Sequence, residues 1–411
     1  MKALVLERNL PRFAASRVAS LLGSGRGAGV GPLELLDVAP PEPPGEDWDH
    51  LQPLLSGICG SDLATLDGRS SRYFEDMVSF PFVPGHEVVG VLDGGGVDHS
   101  GQVLEPGTRA VIEPVLGCAP RHIRPPCPYC AGGHTGLCGN VAFGDVAPGL
   151  QTGYCSDTGG GWSTAGLVAH HSQVHRVPDS FSDEDAVMVE PTACAVHAVL
   201  AADIEAGAVV AVIGAGTLGL ATVAALHHLV QYASPGTVMV GAKHSHQRQL
   251  AESLGADAAV APEQLARAVR RRSGSLVLAG RLTDGADVVF DCVGSSDSLA
   301  ASLAMVRPRG RVVVVGMPGR VSIDLAPLWH RELTLVGSYT YGVEPPLESS
   351  LPGRTFERAI GLVADAGLGS LVSATYPIER YEEAIVHAGS AGRRGAVKVA
   401  FDLRNRKGGS R

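Results

Sequence analysis

The feature that most constrains this chain is a junction near its middle. A Val/Ile-rich run over residues 208–213 meets Gly214-Ala-Gly216-Thr217-Leu218-Gly219, and an Ala/Leu-rich segment follows. The spacing is G-x-G-x-x-G between a strand and a helix. Gly214 permits the tight turn, Gly216 lets backbone approach a pyrophosphate, and Gly219 lets the helix pack on the sheet. The helix N-terminus then faces the phosphates. Residues 206–226 carry no charged side chain, which is membrane-span length. Strand, phosphate turn and helix explain that pattern better than a lipid-spanning helix.

The junction sits in an alternation. Residues 183–203 read as helical. Strands are expected at 208–213, 237–241, 287–290 and 311–315, with helices at 217–230, 245–254 and 297–305 between them. Such a βαβ series implies a parallel, doubly wound sheet. Two helices (355–366 and 379–388) and a strand near 396–402 are expected after it, while the basic stretch 262–282 is less defined. Upstream, residues 1–55 read as short strands broken by loops, the Gly-rich segment 23–32 among them. Residues 80–115 are β-like, with runs at 82–84, 88–92 and 109–112. Residues 116–161 are long, Gly/Pro-rich and without regular structure, so they need a staple or a function.

An NAD-binding chain usually carries an acidic residue after the second strand, for the adenosine ribose. Here that place reads Gly241-Ala-Lys243-His244-Ser-His-Gln-Arg248. Lys243, His244 and Arg248 suit a 2′-phosphate, which favours NADP(H) over NAD(H). The plainer reading is a solvated helix start that NAD(H) tolerates.

Composition sets the class. The 411 residues are too many for one ordinary core and fit two domains. Apolar residues are 45% and charged residues 18%, which suits a soluble globular protein. The net charge of −9 argues against nucleic acid or an anionic membrane as partner. The N-terminus does not read as an export signal, so a reducing cytoplasm is expected and clustered cysteines read as metal ligands.

Two ligand sets stand out among the 8 cysteines and their neighbours. The first is scattered: Gly57-Ile-Cys59-Gly-Ser61-Asp62, Gly85-His86-Glu87, and Glu190-Pro191. Each lies beside a Gly or Pro corner that can aim a side chain. One thiolate, one imidazole and one carboxylate can hold zinc and leave a position open. Taken singly, Cys59 reads as a small buried residue and His86 as a turn histidine. The second set is compact, with Cys118, Cys127, Cys130 and Cys138 spaced C-x8-C-x2-C-x7-C. Four thiolates make a closed, structural zinc site. A redox pair at Cys127 and Cys130 is the rival reading. Cys155, Cys194 and Cys292 read as plain buried residues.

In order, GICGSD, PGHEVVG, a four-cysteine loop, EP and GAGTLG resemble the zinc-containing medium-chain alcohol dehydrogenase/reductase superfamily. The likeness runs on through Asp291-Cys-Val293-Gly294, Gly310 to Gly316 and Gly395-Ala-Val-Lys398. It implies an α/β chain: a GroES-like β-rich catalytic domain over 1–190 with the zinc loop at 116–140, a Rossmann coenzyme domain over 191–340, and a return to the catalytic domain over 341–411. It implies two zinc ions per chain, Cys59 and His86 as ligands, coenzyme contacts at Val293 and Gly316, and a homodimer or homotetramer. Glu190, 24 residues before Gly214, is similar to the polyol (sorbitol and threonine dehydrogenase-like) branch. Either Glu87 or Glu190 is open as the direct ligand.

Three departures stand out. Cys118 lies upstream of the usual first cysteine position, which is Arg124 here. Ala64 replaces a histidine that ends the proton relay in many relatives. Residues 10–31 are longer than usual and have no functional account. The expected chemistry is hydride transfer between a secondary alcohol, polyol or sugar-like substrate and the nicotinamide, with zinc as Lewis acid. Ser61 is the candidate to pass the hydroxyl proton on; its plainer reading is a turn hydroxyl capping backbone. Tyr73, Phe74 and Trp162 are candidate pocket walls. The alternatives are a zinc-free quinone or enoyl reductase of the same fold, and a non-catalytic dinucleotide sensor.

Overall fold

The computed structural model describes residues 1–21, 29–229, 235–345 and 353–404. Most of the Gly-rich segment 23–32 lies outside them. The chain forms two compact units: residues 1–190, 367–391 and 398 onward, and residues 191–366 with the short piece 392–397.

The first unit is built on a seven-stranded sheet. Its order runs Val372–Pro377, Lys398–Asp402, Trp48–Gly57, Val88–Leu92, Thr108–Ile112 and Val174–Arg176, with Leu167–His170 also on Trp48–Gly57. Only the first pair is parallel; the last strand joins antiparallel to Trp48–Gly57 through Ala400 opposite Gly57. One core cluster gathers Leu4, Phe82, Trp162 and Phe401. Trp162 is fully buried, donates Nε1–H to the Gly57 carbonyl at 3.1 Å, and meets Phe401 edge-on. Burying a large apolar side chain in this way contributes about 1.5–3 kcal/mol. Trp162 is therefore a core residue rather than the pocket wall expected from sequence. Tyr73 is 71% exposed, on a short 3₁₀ turn.

The N-terminal expectation of strands and loops fails at Leu10–Leu21, which is a helix. Asn9 caps it, its Oδ1 accepting the Arg12 N–H at 3.2 Å, and Pro11 stands in the first turn. These are start signals. They were overlooked because no apolar stripe follows: the helix docks through Phe13 and the buried Ser16, whose hydroxyl donates to the Leu66 carbonyl at 2.9 Å.

The second unit carries a six-stranded parallel sheet. Its order is Ala258–Val260, Thr237–Gly241, Val209–Ile213, Ala286–Asp291, Val306–Val314 and Thr334–Gly337. In chain order this is 3-2-1-4-5-6, the doubly wound dinucleotide-binding order. Val209–Ile213 is buried along nearly its whole length, as a strand covered on both faces must be. The unclear stretch 262–282 resolves into a helix, Pro262–Ser273, and a short hairpin. Pro262 starts the helix, Gly274 ends it at φ 71°, and Arg270, Arg271 and Arg272 fall in its last turn. The return to the first unit begins at residue 367, later than the expected 341, because Thr355–Ala366 is a helix that packs on Thr217–His228. Among the described residues, no helix is long and apolar enough to cross a membrane.

Candidate active site

In the first unit, Cys59 stands at the N-cap of the helix Gly60–Leu66. A helix N-terminus favours a thiolate. Asp62, three residues on, turns back so that its Oδ2 accepts the Cys59 N–H at 2.9 Å. His86 and Glu87 follow Gly85, whose φ of 99° aims them inward. Cys59, His86 and Glu87 each offer a ligand atom, all within 4.8 Å of one another. His86 is 4% exposed and Glu87 1%.

Two supports surround this triplet. The first is Asp62. Its Oδ1 lies 3.4 Å from His86 Nδ1 and accepts the Tyr154 hydroxyl at 3.2 Å. The Asp62 carboxylate holds this buried imidazole mainly by charge, the contact being long for a hydrogen bond. Burial opposes a proton on His86, but the Asp62 and Cys59 charges outweigh it and raise its basicity well above the usual range. A field that holds an extra proton here would also hold a cation. Burial, then Asp62, pushes the Tyr154 hydroxyl far above the usual tyrosine range, keeping it a neutral donor. The second support is Lys398, fully buried and ion-paired to Glu87 Oε2, with the Ile58 carbonyl at 3.5 Å. Gly57 makes room for this pair, because a Cβ there would overlap both side chains.

Glu190 is 7% exposed and close enough for its charge to reach Lys398. It does not belong to the convergent donor set. Ser61 is half-buried in the same helix and interacts with Tyr154. Tyr154 and Lys398 were not singled out from sequence as site residues. Lys398 stands in a motif of the resemblance, whereas nothing in the local sequence marks Tyr154.

The four loop cysteines do come together, the displaced Cys118 included. Cys118 Sγ and Cys138 Sγ are 3.6 Å apart. The Cys127 N–H donates to Cys118 Sγ at 3.3 Å, and the Asn140 N–H to Cys138 Sγ at 3.3 Å. The Cys130 thiol draws Cys138 down against burial, while the same contact pushes Cys130 up, so without a metal the pair shares a proton. Such donors favour thiolates, the form that binds metal. Arg121 was missed: its guanidinium is fully buried and donates to the carbonyls of Leu116, Phe143, Val146, Ala147 and Gly149. Of the remaining cysteines, Cys155 is buried, whereas Cys194 and Cys292 are only half-buried.

In the second unit, Gly216 caps the helix Thr217–His228, in whose first turn Leu218 and Gly219 follow Thr217. Gly214 has φ 91°, and a Cβ on Gly219 would overlap the Gly214 carbonyl oxygen. Val293 is 48% exposed and lies against Gly214; Gly316 packs on the backbone of Cys292 and Val293. The buried Asp291 shapes this turn by accepting the N–H groups of Val293 and Gly294 at 2.9 and 3.0 Å. All lie at the carboxyl ends of neighbouring strands, where strand order reverses and nucleotides bind. At the next strand end Lys243 is exposed and His244 half-buried. Arg248 turns back, donating Nη1–H to the Ala242 and Lys243 carbonyls at 3.0 and 3.3 Å. Sequence reasoning did not find His246 or Arg393. His246 stacks 5.8 Å from His244, and Gly392 packs against the same ring. Burial, then His246, Lys243, Arg393 and Arg248, lower the basicity of His244, a sign of crowded positive charge.

Residues 46–179 match the alcohol dehydrogenase GroES-like domain, and residues 217–365 match the zinc-binding dehydrogenase domain. A sorbitol dehydrogenase of Arabidopsis thaliana is 30% identical over 293 residues, covering 71% of this chain and 73% of that protein. An L-idonate 5-dehydrogenase of Vitis vinifera is 29% identical over 297 residues, with coverage of 71% and 73%. Among solved structures, a zinc-binding dehydrogenase of Sinorhizobium meliloti 1021 bound to NADP superposes with a TM-score of 0.67 at 27% identity, over 90% of this chain and 96% of that one.

Proposed function

The chain belongs to the zinc-containing medium-chain dehydrogenase/reductase superfamily, in its polyol branch, and on that premise we propose which residues carry its nicotinamide-linked alcohol oxidoreduction. The reading is a zinc-dependent enzyme that oxidises a secondary carbinol of a polyol or sugar-like substrate with NADP⁺, and runs in reverse with NADPH. The convergence of Cys59, His86 and Glu87 carries it.

A thiolate, an imidazole and a carboxylate suit zinc and leave a position open. With Nδ1 turned to Asp62, His86 offers Nε2; with Oε2 on Lys398, Glu87 offers Oε1. Glu190 is the weaker candidate ligand and acts through its charge. Zinc bound there supplies a Lewis acid for the substrate oxygen. The chain's own groups do the rest. Asp62 orients His86. Tyr154 fixes Asp62 by hydrogen bond. Ser61 is the first carrier of the hydroxyl proton, and Ala64 cannot continue that path. Cys118, Cys127, Cys130 and Cys138 would hold a second, structural zinc, and their convergence favours a metal loop over a redox pair. Lys243, His244, His246 and Arg393 receive the 2′-phosphate, with no acidic residue at that strand end to favour NAD(H).

Metal content of the purified protein and of its Cys59→Ala variant tests the reading. About two zinc per chain are expected, with one lost in the variant together with alcohol-dependent NADP⁺ reduction. Only one zinc in the unsubstituted protein, unchanged in Cys59→Ala, would overturn it in favour of a reductase without catalytic zinc.

A further inference from the structure

Three other side chains of the first unit converge on one point and share no residue with the sites above. Asp47 immediately precedes the strand Trp48–Gly57, His122 belongs to the cysteine loop, and His170 ends the strand Leu167–His170. Nε2 of His122 lies 2.9 and 3.1 Å from the two oxygens of Asp47. Nε2 of His170 lies 3.0 Å from Asp47 Oδ2. Two imidazoles thus present the same nitrogen to one carboxylate.

Both rings are held from behind. His122 Nδ1 is 3.1 Å from Asp145 Oδ2. His170 Nδ1 is 2.8 Å from the Ser172 hydroxyl, and Trp48 packs edge-on to the ring at 5.6 Å. For His122, an acceptor on the far ring nitrogen is the arrangement that orients metal-ligating histidines. Gly45 keeps the point open, since a Cβ there would stand 2.9 Å from His122 Cε1 and 3.1 Å from Asp47 Oδ1. His171, the neighbouring ring, is engaged elsewhere, on Asp49 at 3.3 Å. The Asp47 and His122 side chains are 41% and 29% exposed, so an ion can arrive from solvent.

We propose that Asp47, His122 and His170 form a further metal site, for a divalent transition ion, that ties the cysteine loop to the central sheet. Two imidazoles and one carboxylate suit zinc, cobalt, nickel or copper rather than magnesium or calcium. Once His122 has given up one proton, two aspartates around two neutral imidazoles leave a charge that a dication offsets. The proton balance is explicit. His122 gives its Nε2 proton to water and keeps the Nδ1 proton on Asp145. The Ser172 N–H, 3.1 Å from His170 Nδ1, shows that ring protonated at Nε2 before the ion arrives. On binding, His170 changes tautomer, and the Ser172 hydroxyl accepts the new Nδ1 proton. The Ser172 N–H then loses its acceptor, so the expected affinity is moderate.

Cobalt(II) titrated into the zinc-loaded full-length protein tests the proposal. One further equivalent is expected to bind, with visible absorption of histidine-ligated cobalt and a rise in melting temperature. His122→Gln and His170→Gln should each weaken binding at least tenfold while the zinc content stays unchanged. Asp145→Asn keeps all three ligands and should weaken binding by a few-fold, which guards against a misfolded glutamine variant. No further equivalent at millimolar cobalt, or equal binding by wild type and all three variants, would overturn the proposal and leave a hydrogen-bonded clamp.

Discussion

The Lys398 ammonium rests on the Glu87 carboxylate, and both side chains are 2% exposed. Removing one partner of such a pair strands the other charge and costs about 3–5 kcal/mol. Lys398→Met is therefore expected to destabilise the metal-free protein by that amount in denaturant unfolding. Zinc should restore much of it, because the ion takes over the charge of Glu87. Lys398→Arg should fall between. The assignment of Glu87 as a zinc ligand fails if zinc stabilises Lys398→Met no more than wild type.

The Gly219 position leaves no space for a methyl group over the Gly214 carbonyl. Gly219→Ala should distort the phosphate turn and weaken NADPH binding at least tenfold, about 1.4 kcal/mol. Zinc content and circular dichroism should stay as in wild type. Undiminished NADPH titration would place the nucleotide elsewhere.

Positive charge at Lys243 and Arg393 is expected to set coenzyme choice. Lys243→Asp with Arg393→Ala should shift the ratio of kcat/KM for NADP⁺ over NAD⁺ downward by tenfold or more. A ratio within twofold of wild type would mean that the strand end reads only the ribose.

Cys138 and Arg121 organise the same loop by different means. Cys138→Ser should remove one zinc and leave residues 116–161 open to limited proteolysis. Arg121→Met keeps the cysteines but orphans several buried carbonyl oxygens. Each orphaned group costs about 1–3 kcal/mol, partly recovered by relaxation. The expected signature is a lower melting temperature with zinc content intact. Loss of zinc from Arg121→Met would instead make the arginine part of the metal site's framework.

Glu344 gives a pH dependence in the second unit. Burial opposes its charge, but His197 at 2.6 Å, the Thr355 hydroxyl at 2.7 Å and then Arg358 hold its carboxyl below the usual range. A depressed folded value contributes stability above the unfolded carboxylate value of about 4.3 and loses it as pH falls through the folded value. Glu344→Gln should thus melt lower than wild type at pH 7, by about 1–3 kcal/mol. The gap should close in acid. A gap of constant size from pH 7 to pH 3 would exclude the linkage.

Much of this molecule could be read in advance where chemistry and period coincide. The segments 237–241 and 355–366 coincide with Thr237–Gly241 and Thr355–Ala366, because apolar runs and flanking Gly or Thr point the same way. Gly214, Cys59 and His86 are visible because their chemistry needs fixed local spacing. Leu10–Leu21 escaped because its docking rests on a buried serine and one aromatic ring, not on a stripe. Tyr154, Lys398 and Arg393 escaped for another reason. Each acts on residues distant in sequence, 92 positions for Tyr154 and Asp62, and no local pattern encodes that meeting.

The strand Lys398–Asp402 lies between Trp48–Gly57 and Val372–Pro377 in its sheet. A ribosome makes it after every other strand of that sheet, at about 5–20 residues per second. Until then Gly57 has no partner at Ala400 and Glu87 has no ammonium beside it. The half that holds Cys59 waits for that strand. A nascent chain stalled before residue 398 is a coenzyme-binding body carrying an open sheet edge, the form that a chaperone would meet.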